Sequence, residues 1–170
     1  MTDIRKVGVI GAGVMGAGIA AHMANAGLPV VLLDVVPDGA NARNVLSDTA
    51  VARLLKTNPA PFMHKRNARR IVTGNIEDDL DQLGECDWII EAIIENLDAK
   101  RDLYARIENE RKTGSMVSSN TSTILLEKLT EDLPERFCKD FAITHFFNPP
   151  RYMRLLEVVV GPQTRPDVLQ

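Results

Sequence analysis

The chain has 170 residues, of which 45% are hydrophobic and 25% charged, with a formal net charge of −3. That length and mixture suit one well-buried globular domain and exclude a disordered chain, while the acidic balance argues against nucleic acid as the main partner. No apolar run approaches the roughly 20 residues that a bilayer crossing needs, and the start Met1-Thr-Asp-Ile-Arg-Lys6 has no signal-peptide pattern, so a cytoplasmic protein without a membrane span is expected.

Val7 to Ile10 reads as a buried strand, and Gly11, Gly13 and Gly16 after it fit G-x-G-x-x-G at a strand-to-helix turn. Gly11 allows the tight turn, Gly13 the approach of a diphosphate to bare backbone, and Gly16 the close packing of helix on strand. The helix is predicted over Val14 to Ala26, with Gly27 closing it. Pro29 to Leu33 is a second apolar strand ending in Asp34, which lies 23 residues after Gly11, near the roughly 20 expected of a ribose-binding acid. A carboxylate there accepts from both ribose hydroxyls and repels a 2′-phosphate, so the expected cofactor is NAD rather than NADP. Strand, helix and strand make one right-handed crossover unit.

Residues 37–55 read as a helix that Asn58-Pro-Ala-Pro61 breaks, with a second basic helical piece expected from Phe62. From Arg43 to Arg70 there are seven basic residues against one acid, Asp48, leaving the remainder of the chain at −9. A basic segment beside a dinucleotide site suggests a second, anionic ligand; the same pattern also describes a solvated helical face. The segment exceeds what a simple crossover requires, so extra helical structure standing off the sheet is predicted.

A short strand follows at Arg70 to Thr73, a short helix at Asp78 to Leu83, and a nearly continuous apolar strand from Asp87 to Ile94, as parallel central strands are. Asn96 caps a helix over Leu97 to about Lys112, and Ser115 to Ser118 is the fifth strand. The polar run Ser119 to Thr123 either caps a helix over Ile124 to Leu129 or lines a ligand site at the strand's C-terminal end. Phe141 to Pro150 is the sixth strand running into a rigid loop, Leu155 to Val160 the last, and Arg165 begins a helix. Cys86 and Cys138 lack metal-ligand spacing and read as reduced thiols, and no metal site is expected. His145 ends an apolar strand and Glu157 lies within the next. A buried carboxylate beside an imidazole holds one ring nitrogen as N–H and frees the other to take a proton, although a core histidine gives the same pattern.

The glycine loop with Asp34, the segment Glu91-Ala-Ile-Ile-Glu-Asn-Leu-Asp-Ala-Lys100, Ser118 to Ser122, and His145-Phe-Phe-Asn-Pro-Pro150 followed by Leu155 to Val159 together resemble the NAD-binding domain of 3-hydroxyacyl-CoA dehydrogenases, most of all the long bacterial fatty-acid oxidation proteins. The resemblance covers essentially the whole chain. It implies an α/β fold: a Rossmann-type doubly wound, mostly parallel sheet with helices on both faces and a helical insertion after the second strand. It further implies that His145 is the general base toward the 3-hydroxyl and that Glu157 orients it. Ser122 would bond near the reacting oxygen, and Asn148 would contact the nicotinamide side of NAD. Glu95 and Lys100 would hold the nicotinamide ribose, with Val14, Met15 and the glycines beneath the diphosphate, and a basic residue such as Lys56 would meet coenzyme A. The resemblance also implies a further asparagine beyond Gln170 and then a helical domain that closes the substrate cleft and dimerises. Residues 1–170 are therefore expected to form a cofactor-binding domain that turns over 3-hydroxyacyl-CoA poorly alone, within a parent protein that is a homo-oligomer. The alternatives are a β-hydroxyacid dehydrogenase acting on a small free acid and a non-catalytic, crystallin-like NAD-binding protein.

Overall fold

The computed structural model describes residues 3–169. Seven strands form one sheet in the order β3-β2-β1-β4-β5-β6-β7. These are β1 Val7–Ile10, β2 Val30–Asp34, β3 Ile71–Asn75, β4 Trp88–Glu91, β5 Met116–Ser119, β6 Phe141–Phe146 and β7 Leu156–Val160. β1 to β6 are parallel, and β7 returns antiparallel to β6. Five α-helices connect them: α1 Val14–Asn25, α2 Val45–Leu54, α3 Leu97–Glu110, α4 Leu126–Thr130 and α5 Glu135–Asp140. The order reverses between β1 and β4, so a crevice opens at their C-terminal ends, where open sheets of this kind take ligands.

Alternation along the strands builds two cores. Val7, Val9, Val30, Leu32, Trp88 and Ile90 face the α1 and α2 side, packing against Ile19, Ala50, Leu54 and Phe62. Ile10, Val31, Leu33 and Ile89 face the other side, against Leu103, Tyr104, Ile107, Phe137 and Phe141. Helices cover both faces because strands buried on both sides leave no surface for water.

Several expectations change. The helix predicted over 37–55 begins only at Val45, because residues 37–44 turn, with Gly39 at φ 70°. The basic insertion does not stand off the sheet: Ala50, Leu54 and Phe62 are buried in the core. Its second piece is a 3₁₀ helix over Lys65–Arg70, which His64 caps by accepting from the Arg66 N–H. Residues 80–85 are likewise 3₁₀. β4 stops at Glu91 rather than Ile94, since residues 92–96 leave the sheet to wall the crevice. α5 was not anticipated, and the helix expected from Arg165 is a 3₁₀ helix over Pro166–Leu169.

Glu157 was expected to be buried, yet every residue of β7 is exposed, since the strand pairs with β6 alone and nothing among the described residues covers it. No helix among the described residues is long and apolar enough to cross a membrane. Both cysteines are free and buried. Burial pushes the Cys86 thiol up to about 11, against the pull of Lys6 and Lys112, and burial also raises Cys138. Because the thiolate is the nucleophile, neither cysteine should label with iodoacetamide at neutral pH in the folded protein, and both should label once it is unfolded, as mass spectrometry would report.

Candidate active site

The floor of the crevice is the glycine turn. Gly11 has φ 101°, and a Cβ on it would lie 2.5 Å from the Ala92 carbonyl oxygen. A Cβ on Gly16 would lie 1.7 Å from the Gly11 carbonyl oxygen, so only glycine lets α1 start this close to β1. Gly13 differs, for a Cβ there meets nothing within 4 Å and projects into open space. α1 begins at that point with no side-chain cap and no acid in its first turn, leaving N–H groups and the positive end of the helix dipole facing the opening.

Asp34, at the end of β2, accepts from the Ala12 N–H at 2.6 Å and the Val35 N–H at 2.7 Å. Each carboxylate oxygen retains a lone pair for a ribose hydroxyl. Gly11, Gly13 and Asp34 line a cleft of about 400 Å³ with Val35, Ile76 and Ile94, an apolar slot sized for a purine. Gly13, Val14 and Met15 continue into a second cleft of about 490 Å³, which holds Glu95, Lys100, Ser122, His145 and Asn148. Gly13 and residues 92–94 line both clefts, so the two form one groove across the open space at Gly13. The open cradle at Gly13, the uncapped helix and the Asp34 carboxylate together fit a dinucleotide.

His145 and Glu157 are register partners across β6 and β7, and His145 Nδ1 lies 2.8 Å from Glu157 Oε2. Phe147 packs on the imidazole, with ring centroids 4.6 Å apart. Beyond them a third cleft of about 320 Å³ is lined by His145, Ser122, Glu157, Leu125, Leu126 and Val159 among others. His145 and Ser122 are thus a wall shared by the dinucleotide groove and this outer cleft.

Glu95 accepts from the Thr121 hydroxyl at 2.8 Å and the Ser122 N–H at 3.1 Å, and Lys100 Nζ lies 3.3 Å away. Burial alone would raise the Glu95 carboxyl, but these donors hold it below the usual carboxylate range. Lys100 is 1% exposed and donates to Glu91 at 2.6 Å, so it is a buried brace as well as a lining residue. Of the residues picked out in the sequence, the structure brings together all but Lys56. α2 runs down β3 from Asn44 beside Asn75, through Ser47 at Gly74, to Asp48 at Thr73, which carries Lys56 off the far end of the helix.

Three contributors were missed. Asn120 Oδ1 accepts from the Phe146 N–H at 2.9 Å and steadies the end of β6, Thr121 bridges to Glu95, and Glu91 anchors Lys100. The signal for Glu91 was present, since a carboxylate closing the apolar run Trp88-Ile-Ile must find partners.

The family model described as "3-hydroxyacyl-CoA dehydrogenase, NAD binding domain" matches residues 6–170. A probable 3-hydroxyacyl-CoA dehydrogenase of Deinococcus radiodurans is 50% identical over 98% of this chain and 48% of its own length. One from Bacillus subtilis is 46% identical over 98% of this chain and 23% of its own length. Among solved structures, 3-hydroxybutyryl-CoA dehydrogenase from Escherichia coli superposes with a TM-score of 0.81 at 28% identity, covering 98% of this chain and 34% of that one. This chain therefore spans about a quarter to a half of the proteins it resembles. With the groove, its Asp34 carboxylate and these relatives in agreement, the chain belongs to the 3-hydroxyacyl-CoA dehydrogenase family and carries its NAD-binding domain.

Proposed function

We propose that the protein oxidises a 3-hydroxyacyl-CoA to the 3-oxoacyl-CoA, a step of fatty-acid β-oxidation. The observation that carries this reading is the shared wall: His145 and Ser122 line both the dinucleotide groove and the outer cleft, so one imidazole is within reach of cofactor and substrate alike. NAD⁺, when bound, supplies the hydride acceptor. Glu157 accepts the N–H of Nδ1, which leaves Nε2 of His145 with a lone pair for the proton of the 3-hydroxyl. As that proton arrives, the adjacent carboxylate stabilises the imidazolium. Ser122 hydrogen-bonds near the reacting oxygen, and Asn148 and Glu95 hold the nicotinamide half of the cofactor. Lys56 and its basic neighbours meet the phosphates of coenzyme A, which lie at the far end of its pantetheine arm from the thioester.

The test compares NAD⁺-linked oxidation of 3-hydroxybutyryl-CoA with that of free 3-hydroxybutyrate by the whole protein, and NADH binding by residues 1–170 alone. Turnover confined to the thioester, with cofactor binding but little turnover by the domain, is expected. Equal rates on the free acid would reject the substrate class.

A further inference from the structure

Behind the groove lies a carboxylate that the scheme above does not use. Glu91 ends β4 and is 0% exposed, and an ionised carboxylate removed from water needs a full set of donors. It has four. Oε1 accepts from Lys100 Nζ at 2.6 Å and the Ile93 N–H at 2.8 Å, and Oε2 accepts from the Tyr104 and Ser119 hydroxyls, each at 2.7 Å. Tyr104 is correspondingly held as the neutral phenol: burial and then the neighbouring Glu91 charge raise it well above its ordinary value.

The Ile93 N–H belongs to the stretch that lines both clefts, and a glutamine at position 91 still offers it a carbonyl oxygen; the donors Lys100 and Ser119 lead only to the cleft of His145. Lys100 continues to Glu95 at 3.3 Å, and Glu95 accepts from the Thr121 hydroxyl at 2.8 Å and the Ser122 N–H at 3.1 Å. On the other side the Ser119 hydroxyl, while donating to Glu91, accepts from the Thr121 N–H at 3.2 Å. The path from Glu91 through Lys100, Glu95, Thr121 and Ser119 returns to Glu91 as a closed ring. It ties together β4, the turn after it, α3 and the loop after β5. Tyr104 bonds the same carboxylate but stands off the ring. Glu91, Lys100, Ser119 and Thr121 are buried and Glu95 is the exposed corner of the ring, so none of the four buried members can turn away without leaving a buried partner unsatisfied.

Glu95 and Ser122, the groove-facing members and attachments of the ring, line the cleft that also holds His145 and Asn148. Neither lines the cleft of Asp34. We propose that Glu91 is a positioning residue: acting through Lys100 on one side and Ser119 on the other, it holds Glu95 and Ser122 where the nicotinamide half of the cofactor binds and leaves the adenosine half alone. The inference rests on the groove taking NAD, and its test separates the two. Wild-type protein that fails to bind NADH would remove the cofactor reading itself, whereas the positioning role is read from a ratio.

Glu91→Gln keeps the side chain's size but turns one acceptor oxygen into a donor, so it cannot receive both Lys100 and the two hydroxyls. Binding of NADH, measured by its fluorescence, is compared with binding of AMP, which occupies the adenosine half alone and is followed by calorimetry. NADH is expected to weaken about tenfold or more, the scale of losing one hydrogen bond to a charged group, with AMP unchanged. Tyr104→Phe removes a donor from the same carboxylate without opening the ring, and is expected to lower Tm while leaving the NADH-to-AMP ratio as in wild type. An equal loss for both ligands in Glu91→Gln, no loss for either, or an equal change of ratio in Tyr104→Phe would overturn the proposal. Should Glu91→Gln fail to fold, Ser119→Ala opens the ring from its other side, and an unchanged ratio there has the same consequence.

Discussion

Replacing His145 by glutamine in the whole protein is expected to lower kcat on 3-hydroxybutyryl-CoA by about 10²–10⁴-fold, the contribution of a positioned general base. KM and the affinity for NADH should stay near their wild-type values. The size follows from the chemistry: glutamine keeps polarity and hydrogen bonding at the wall between the two clefts but has no nitrogen that takes a proton near neutral pH. It corresponds to about 3–5 kcal/mol of barrier. Glu157→Gln should also reduce kcat, because an amide facing Nδ1 no longer enforces the tautomer that leaves Nε2 as the acceptor. The two side chains share one 2.8 Å contact. Their losses should therefore fall well short of additive, and the double variant should resemble His145→Gln alone. Full additivity, or an unaffected His145→Gln, would remove the base assignment. Steady-state kinetics on the three variants decides the matter.

The second large effect separates two glycines of one motif. Gly16→Ala places a methyl 1.7 Å from the Gly11 carbonyl oxygen, a distance no atom pair tolerates, and the fixed backbone on the far side cannot step aside. The cost should reach or exceed the upper end of the about 1–3 kcal/mol usual for overpacking, seen as a marked fall in Tm together with lost cofactor binding. Gly13→Ala has a backbone φ of −63°, ordinary for alanine, and open space around the new methyl. Its Tm should be unchanged. That space is where a diphosphate would approach the uncapped end of α1, so NADH binding should still fall by about tenfold or more, as when a charge-assisted contact to backbone is lost. A Gly13→Ala protein that binds NADH normally would mean that the groove does not hold the diphosphate there. Thermal melts and NADH titration distinguish the two variants.

Much of this architecture was legible from local signals. The glycine spacing, the acid at Asp34 and the apolar runs of β1, β2 and β4 each depend on a few neighbouring residues, so pattern alone placed them. Asn96 could be recognised as a cap because its side chain serves an N–H only three residues on, that of Ala99. What escaped depends on distant partners. Ala50, Leu54 and Phe62 carry no local mark that says whether a basic helix lies on the sheet or away from it; their burial comes from contacts with Ile19, Val30 and Ile71. β7 was misjudged for the opposite reason, since Leu-Glu-Val-Val-Val reads the same whether its face is covered or bare. Glu91 closes the apolar run of β4 much as Glu157 lies within that of β7, and a charge in such a place is the same cue at both positions.

β7 is held by a single neighbouring strand, whereas β1 is clasped on both sides and buried throughout. Segments with few apolar contacts and solvent-facing amides open at a small fraction of the global unfolding free energy. Glu157 sits on an exposed edge segment of this kind, while the glycine turn and Asp34 belong to the buried centre. On the roles proposed above, grip on the dinucleotide belongs to the buried middle of the sheet and proton transfer to its exposed margin. In that scheme, whatever steadies the margin is expected to raise turnover without needing to touch the cofactor.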